Sequence, residues 1–168
     1  IGMIGYSVSK AGGIPMLEGS NSETVIVQIS NLLSAKIFET APAVSRLLGE
    51  NEALKARIQA MEDIRFAALA EQYADQGGVV FFEDGLTPDG VRRACVAVME
   101  RCGGRCVCLS GRDGEGYKYA MGHKGGNLKD LTKTLNQSLN GHGGGKPDFV
   151  QGSLSANRTE IEEFFSKN

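Results

Sequence analysis

The feature that most constrains the fold is residues 43–74, where apolar side chains recur at alternating steps of four and three. That spacing aligns them along one side of an α-helix, as in a coiled coil. A polar residue at such a seam can fix the register and the number of partners, so Asn51 favours a helical hairpin or a coiled-coil dimer. The alternative is a lone helix packed on its own domain. The predicted dimerisation residues are Leu47, Asn51, Leu54, Ile58 and Met61.

Two short parts precede this helix. Residues 1–18 contain two β-prone apolar runs around a Lys-Ala-Gly-Gly turn, which predicts a β-hairpin. Two strands alone are marginal in water, so we expect the hairpin to be the remnant of an upstream domain and the chain to be a piece of a longer protein. A helix is predicted from Glu23 to about Ala35. Residues 19–76 together form a helical linker.

The remaining residues, 77–168, alternate between strand and helix patterns. Helix starts are indicated by Thr87-Pro88, Asn127 and Asn157, each a residue or pair that favours the first turn. This alternation predicts a small α/β domain with a mixed sheet, and with the linker an α+β fold class. The predicted strands are 79–82, 105–110, 117–121 and 149–151, the predicted helices begin near 88, 128 and 157, and residues 141–145 form a glycine-rich loop.

Four cysteines, Cys95, Cys102, Cys106 and Cys108, lie within 14 positions, and none lies elsewhere. Zinc sites generally need two ligand pairs separated by two to four residues, and these spacings do not provide them. Cys106 and Cys108 fall on one face of an apolar strand, where free thiols pack as small hydrophobes. We therefore expect buried structural thiols and a reducing, cytoplasmic location, with a metal site as the alternative.

The charge is distributed unevenly. The whole chain has a net charge of −2, yet residues 101–146 contain 8 basic and 3 acidic residues and 12 of the 23 glycines. Lysine and arginine beside bare backbone are typical of phosphate-binding surfaces. The alternative is a loop-rich face with solvated lysines. No apolar stretch approaches the roughly 18 to 20 residues that span a bilayer, so we expect no membrane partner.

The densest motif is Asn140–Asp148, with four glycines between a helix and a strand. Such a turn can expose several N–H groups as an anion-binding nest, beside the charge of Lys146 and a donor on His142. It is neither a Walker A loop nor a dinucleotide-binding turn, because both of those lead from a strand into a helix. The alternative is that the glycines only permit a sharp reversal.

These residues resemble a known family. Gly122–Leu128 (Gly-His-Lys-Gly-Gly-Asn-Leu) and Asn140–Gly152 (Asn-Gly-His-Gly-Gly-Gly-Lys-Pro-Asp-Phe-Val-Gln-Gly) are similar to the DHH-associated domain of alanyl-tRNA synthetases, alanyl-tRNA editing proteins and DHH phosphoesterases. The resemblance covers about residues 78–168. Phosphoesterases usually end the glycine run with His, whereas Lys146 matches the alanyl-tRNA branch. The linker segments Ile29–Ser34 and Leu47–Lys55 also look like those of editing proteins.

The resemblance implies a tRNA-binding and dimerisation domain of an alanyl-tRNA editing enzyme, with alanine tRNA and a second copy as partners. The editing motifs His-x3-His and Cys-x3-His are absent from this sequence, so we expect no catalytic residue and no cofactor in this chain, and zinc only in its parent. A synthetase C-terminal domain and a purely structural dimerisation module are the alternatives. The predicted RNA-binding residues are Arg112, Lys124, Gly125, Gly126, Asn127, Lys129, His142, Gly143, Gly144, Gly145 and Lys146. Tyr117, Tyr119 and His142 are candidate stacking platforms, and the alternative, more common for tyrosines, is a place in the core.

Overall fold

The computed structural model describes residues 22–168, and the hairpin predicted at residues 1–18 lies outside them. The described residues divide into two compact units, with the boundary between Ile58 and Gln59. The elements in chain order are α1 (Ser22–Leu32), a 3-10 turn (Ile37–Glu39), α2 (Thr40–Gln72), β1 (Gly77–Phe82), α3 (Pro88–Cys102), β2 (Gly103–Arg112), β3 (Gly116–His123), α4 (Lys129–Ser138), β4 (His142–Lys146), β5 (Phe149–Leu154) and α5 (Arg158–Lys167).

The first unit contains α1, the 3-10 turn and the beginning of α2. Its described residues form few buried contacts. The N–H of Ala35 donates to the carbonyl of Ser30 at 3.0 Å, and the hydroxyl of Thr40 donates to the carbonyl of Ile37 at 2.7 Å. These bonds close the corner between α1 and α2, while several apolar side chains of both helices stay exposed.

The second unit is built on a five-stranded sheet with the order β1-β2-β3-β5-β4. Strands β1 and β2 are parallel because α3 connects them, and the other pairs are antiparallel. The predicted mixed sheet and the α+β class are confirmed. Strands β1 and β4 are the two outermost strands of this sheet.

Apolar residues cover both faces of the sheet. On one face, Tyr119, Met121 and Leu154 pack with side chains of α4 and α5. On the other face, Cys106, Cys108 and neighbouring side chains pack against α3 and against Phe66 of α2. The sheet is therefore the central layer of the unit, with α4 and α5 on one side and α3 on the other.

The predicted helix starts are close to the observed ones. Thr87 precedes α3, and its hydroxyl accepts from the N–H of Gly90 at 3.1 Å. The Asn127 side chain accepts from the N–H of Lys129 at 3.1 Å, although Leu128 is the residue that directly precedes α4. Before α5, the carboxylate of Glu160 accepts from the N–H of Asn157 at 2.8 Å. Local side-chain hydrogen bonds thus determine where these helices begin.

All four cysteines are free and fully buried, which confirms the structural reading of these residues. A hydrogen bond with Cys95 and burial both raise the pKa of Cys106, and burial raises the pKa of Cys108. Both thiols therefore stay protonated near neutral pH. Residues 22–168 contain no cluster of metal-ligating side chains, and within the same range no helix is both long and apolar enough to span a bilayer.

Candidate nucleic-acid interface

The glycine run forms the outermost strand, β4, which pairs antiparallel with β5, and not the predicted loop. None of the glycines at 141, 143, 144 and 145 has a positive φ, and in this motif Asn140, before the run, is the residue with a positive φ of 46°, so the glycine run itself lacks the alternation of right- and left-handed residues that a nest requires. The prediction of a nest is therefore wrong. The absence of side chains allows β4 to lie flat and close against β5.

Strand register sorts the residues of β3, β5 and β4 onto the two faces of the sheet. Directly paired residues share a face, so Tyr119, Gly152 and Gly143 form one row toward α4. The next row, Ala120, Gln151 and Gly144, faces the opposite side. Three rows reach this second side, and their residues on β3, β5 and β4 are Lys118, Ser153 and His142, then Ala120, Gln151 and Gly144, then Gly122, Phe149 and Lys146.

Helix α3 covers this second side over β2 and β3, and the side chains beyond it are exposed. We call this exposed surface the open face. It consists of Lys118, His142, Gly144, Lys146, Gln151 and Ser153, all of which are solvent-exposed. The open face is polar and positively charged, and it includes a stretch of backbone that no side chain shields at Gly144.

The glycines of β4 differ in whether the structure has space for a side chain at their position. A Cβ at Gly143 would lie 2.4 Å from the hydroxyl of Tyr119 and 2.6 Å from the carbonyl oxygen of Gln151. A Cβ at Gly145 would lie 2.3 Å from the carbonyl oxygen of Phe149. A Cβ at Gly144 would meet no atom within 4 Å, and its φ is not positive. Packing therefore requires glycine at 143 and 145, whereas Gly144 only keeps the open face bare.

A chain of hydrogen bonds through Asn136 supports β4 on the side of the sheet that faces α4. The Tyr119 side chain crosses β5 at Gly152, and its hydroxyl lies 3.4 Å from the Oδ1 of Asn136. The amide nitrogen of Asn136 donates to the carbonyl of Gly143 at 3.1 Å. An aromatic ring across paired glycines replaces the side-chain contacts that the glycines lack. Burial raises the pKa of Tyr119, so its hydroxyl remains protonated at neutral pH.

Two tyrosines predicted as stacking platforms do not reach the surface. Tyr117 and Tyr119 are 6% and 2% exposed and belong to the core toward α4 and α5. The strand alternation that buries them exposes their neighbour Lys118 instead. That part of the prediction is wrong, and His142 is the ring of the three that lies on the open face.

Most of the predicted binding residues come together. The turn at residues 123–128 lies beside the β4–β5 turn, because the N–H of His123 donates to Asp148 at 2.9 Å and that of Leu128 donates to Pro147 at 2.6 Å. Lys124, Gly125, Gly126, Asn127 and Lys129 are therefore close to Lys146. Arg112 is not close to Lys146. In the strand register Arg112 lies opposite Gly116, at the start of β3, whereas Lys146 is level with Gly122, near the end of that strand.

Several cations near the open face have no acidic partner. In residues 22–168, no carboxylate lies within ion-pair distance of Lys118, Lys129, Lys146 or Arg112. Lys124 differs, because its Nζ lies 2.8 Å from a carboxylate oxygen of Glu100. Unpaired lysines beside an uncovered sheet surface are free to neutralise an external anion.

Comparison with known proteins identifies the second unit. Residues 75–167 match the family described as the DHHA1 domain, which is more than half of the chain. The chain belongs to the DHHA1 domain family. The predicted resemblance over about residues 78–168 is confirmed.

A relative of this DHHA1 chain is the alanine–tRNA ligase of Frankia alni, which is 31% identical over 160 residues. The match covers 85% of this chain and 18% of the ligase, so the chain spans less than a fifth of its relative's length. Among solved structures, the C-Ala domain of alanyl-tRNA synthetase from Aquifex aeolicus has a TM-score of 0.45 and 20% identity. That match covers 54% of this chain and 89% of the C-Ala chain.

The DHHA1 structure also reveals site residues that the sequence analysis missed. Lys118, Gln151 and Ser153 lie on the open face between α3 and β4. Lys118 and Ser153 are directly paired across β3 and β5. In the sequence, the alternation of these polar residues with apolar ones indicated that they face solvent. Only the strand order, which the sequence does not show, places them beside His142.

The predicted dimerisation residues are exposed on α2. In the first unit, Leu47, Leu54 and Ile58 are 45%, 60% and 57% exposed, and Asn51 is exposed between them. In the second unit, Met61 is 63% exposed. Such exposed apolar side chains at coiled-coil spacing are available for a partner helix.

Proposed function

We propose that this DHHA1 domain binds RNA, and alanine tRNA in particular, through the open face and the adjoining turn at residues 123–128. The observation that supports this most directly is an exposed sheet surface whose lysines have no acidic partner among the described residues. The choice of tRNA rests on the relative that is named an alanine–tRNA ligase.

The chemistry of the open face favours contact with the RNA backbone. Lys118 and Lys146 provide positive charge at two ends of the surface, and Gln151 and Ser153 provide hydrogen-bond donors between them. Tyr117 and Tyr119, two of the three rings predicted to stack on unpaired bases, face the core, and of the three His142 alone is exposed. The domain therefore positions a folded RNA through phosphates and sugars and does not read its bases.

The proposed role within a parent protein is supported by the ligase relative, of which this chain matches 18%. The domain serves as an accessory that holds tRNA for a catalytic unit elsewhere in a longer enzyme. The ligase relative favours a synthetase parent over the free-standing editing enzyme that the hairpin pattern at residues 1–17 and the linker segments suggested. In either parent, aminoacyl chemistry belongs to residues outside this chain.

Fluorescence anisotropy with labelled alanine tRNA at several salt concentrations tests the binding. Each phosphate contact contributes roughly 0.7 to 0.9 to the slope of log affinity against log salt. We expect Lys146→Ala and Lys118→Ala each to weaken binding and to reduce the slope by about one contact. Lys133→Ala is the matched control, since Lys133 is an exposed lysine on α4, which packs on the other side of the sheet.

Two results would contradict the proposal. Affinity that does not change with salt would remove phosphate contacts as its basis. An equal loss in the Lys133→Ala protein would show that only overall charge matters. A Gly144→Asp protein, which adds a negative side chain to the open face at a position with space for it, should bind tRNA far more weakly than wild type.

We also propose homodimerisation through the exposed apolar residues of α2 in the first unit. Leaving Leu47, Leu54 and Ile58 in water is unfavourable, because each would bury apolar surface against a second helix. Sedimentation equilibrium should show a dimer that the double variant Leu47→Lys, Leu54→Lys converts into a monomer. A wild-type chain that remains monomeric at about 100 μM, a concentration well above the Kd of a stable interface, would exclude this role.

A further inference from the structure

A cavity of about 680 Å³ lies at the end of the sheet opposite to Lys146. Its walls are the ends of β2 and β5, the beginnings of β3 and α3, and the turn that precedes α3. Cavities of 300 to 1,000 Å³ are typical of sites for small organic ligands. Its polar side chains include Thr87, Ser110, Arg112, Glu115, Lys118 and Ser153.

Charged groups of both signs line this cavity without neutralising one another. Arg112 and Lys118 have no carboxylate within ion-pair distance, and Glu115 has no cation within that distance, in the part of the chain that the structure describes. A cavity with two free cations and one free carboxylate is complementary to a ligand that has an anionic group and a hydroxyl-rich group. A phosphate suits the cations, and a carboxylate accepts hydrogen bonds from ribose hydroxyls.

The hydroxyl groups of the wall are held in place. Ser110 is buried, and its oxygen accepts from the N–H of Leu86 at 3.0 Å. The hydroxyl proton of Ser110 is left to donate, since a serine hydroxyl can accept and donate at once. This bond fixes the turn at residues 85–87 against β2, so the cavity is formed without a ligand.

We propose that this cavity binds one ribonucleotide unit, with its phosphate at Arg112 and Lys118 and its ribose hydroxyls at Glu115. The cavity thereby distinguishes RNA from DNA, because the 2′-hydroxyl is the group that separates the two. Lys118 and Ser153 belong both to the cavity and to the open face. An RNA bound on the open face can therefore place a nucleotide in the cavity, an extension that rests on the proposed function. A free mononucleotide presents the same chemistry.

The test is an NMR titration of the 168-residue protein with uridine 5′-monophosphate, its 2′-deoxy analogue and inorganic phosphate. We expect shifts of the Gly111, Gly116 and Ser153 amides, which line the cavity. The ribonucleotide should bind at least about tenfold more tightly than the deoxy analogue, as expected for one hydrogen bond to a charged group. Glu115→Gln should reduce that ratio, and Arg112→Ala should weaken both nucleotides equally, whereas the Lys133→Ala control should bind as wild type.

Competition separates the two sources of the ligand. Displacement of the mononucleotide by alanine tRNA assigns the cavity to a nucleotide of the bound RNA. Binding of both together assigns it to a free mononucleotide. If tRNA fails to bind while the mononucleotide shifts the cavity amides, the proposed function fails and the cavity proposal stands.

Three results would overturn the cavity proposal. The first is equal affinity for the ribonucleotide and its deoxy analogue. The second is equal affinity for the ribonucleotide and inorganic phosphate, which would reduce the site to an anion contact. The third is tRNA binding that depends on Lys146, together with no shift of the cavity amides by either nucleotide at millimolar concentration.

Discussion

At the scale of single residues, the glycines of β4 have two separate purposes. We expect Gly143→Ala to lower the free energy of unfolding by about 1 to 3 kcal/mol, because the new Cβ would overlap the Tyr119 hydroxyl and the β5 backbone. Gly144→Ala should change it by less than about 0.5 kcal/mol, because that Cβ points into open space. Urea unfolding followed by circular dichroism measures both.

The pair is informative because the two positions are adjacent. A methyl group at either position changes the composition of β4 equally, so any difference in stability comes from the local surroundings. Equal destabilisation by both substitutions would mean that packing also requires glycine at 144. The bare backbone of the open face would then lose its functional interpretation.

The hydrogen-bond chain behind β4 makes a second prediction. Tyr119→Phe removes the contact with Asn136 but keeps the ring that crosses Gly152. We expect a loss of about 0.5 to 1.5 kcal/mol in stability and faster amide hydrogen exchange at Gly143 and Gly145. Exchange rates in β1, measured in the same experiment, should stay closer to wild type. Uniform acceleration across the sheet would contradict a role confined to β4.

At the scale of elements, charged contacts within the second unit fix the end of α2, from residue 59 onward, to α3 and β1. Arg93 of α3 lies 2.9 Å from Glu62, also pairs with Asp63, and stacks over the ring of Phe66. Hydrogen bonding to Asp63 is the main reason that the pKa of Arg93 is raised. Arg65 pairs with the buried Glu83 of β1, and Arg101 lies 2.9 Å from Glu71.

We expect Arg93→Ala to lower the free energy of unfolding by about 1 to 3 kcal/mol. The substitution leaves the half-buried Glu62 without its partner and uncovers the ring of Phe66. Arg92→Ala is the control, because Arg92 is an exposed neighbour whose ion pair with Asp89 stays within α3. That substitution should cost less than about 0.5 kcal/mol. Equal effects of the two in thermal unfolding would remove the special position of Arg93.

Helices were predicted better than strands, and the reason is physical. A helix is specified by nearby residues: the Thr87-Pro88 start and the stripe from Leu47 to Met61 each lie within one segment. Strand β4 has almost no side chains, so no alternation of polar and apolar residues exists to reveal it. It becomes a strand because β5 offers backbone partners to a chain that can approach closely.

At the scale of the whole molecule, the residues of the candidate binding site could not all be predicted from local sequence patterns, because the strand order decides which of them lie together. The basic and glycine-rich composition of residues 101–146 indicated a phosphate-binding surface. The order β3-β5-β4 decided which residues share it, so Lys118 joined His142 while Arg112 was separated from Lys146. Tyr117 and Lys118 are neighbours in sequence, and register alone decided which one faced water.

The buried thiols and tyrosine hydroxyls predict how the stability of the second unit changes at alkaline pH. The pKa values of Cys106, Cys108, Tyr117 and Tyr119 are all raised in the folded domain. The unfolded chain therefore loses these protons first, and stability is full below about pH 8.5 and falls as pH rises. The thiols lower the free energy of unfolding first, and the tyrosines lower it further above about pH 10. Each group contributes a loss of about 1.4 kcal/mol per pH unit above its pKa in the unfolded chain.

Urea midpoints between pH 7 and pH 10.5 measure this loss. The Cys108→Ala protein should have a lower urea midpoint than wild type at pH 7, because the substitution leaves a small cavity. Between pH 7 and pH 10 its midpoint should then fall by less than the wild-type midpoint, because one titrating thiol is missing. A wild-type midpoint that stays constant through pH 10 would contradict the prediction.

The order of strands also has a consequence for how the chain acquires its structure. Strands β4 and β5 are close in sequence and can form a hairpin quickly, whereas β3 must wait for β5 across the whole of α4. During synthesis on the ribosome, the β3 edge that pairs with β5 therefore stays unpaired until β5 emerges. The surface that we assign to RNA is assembled last, so a nascent chain acquires affinity for its ligand only when translation of this domain is nearly complete.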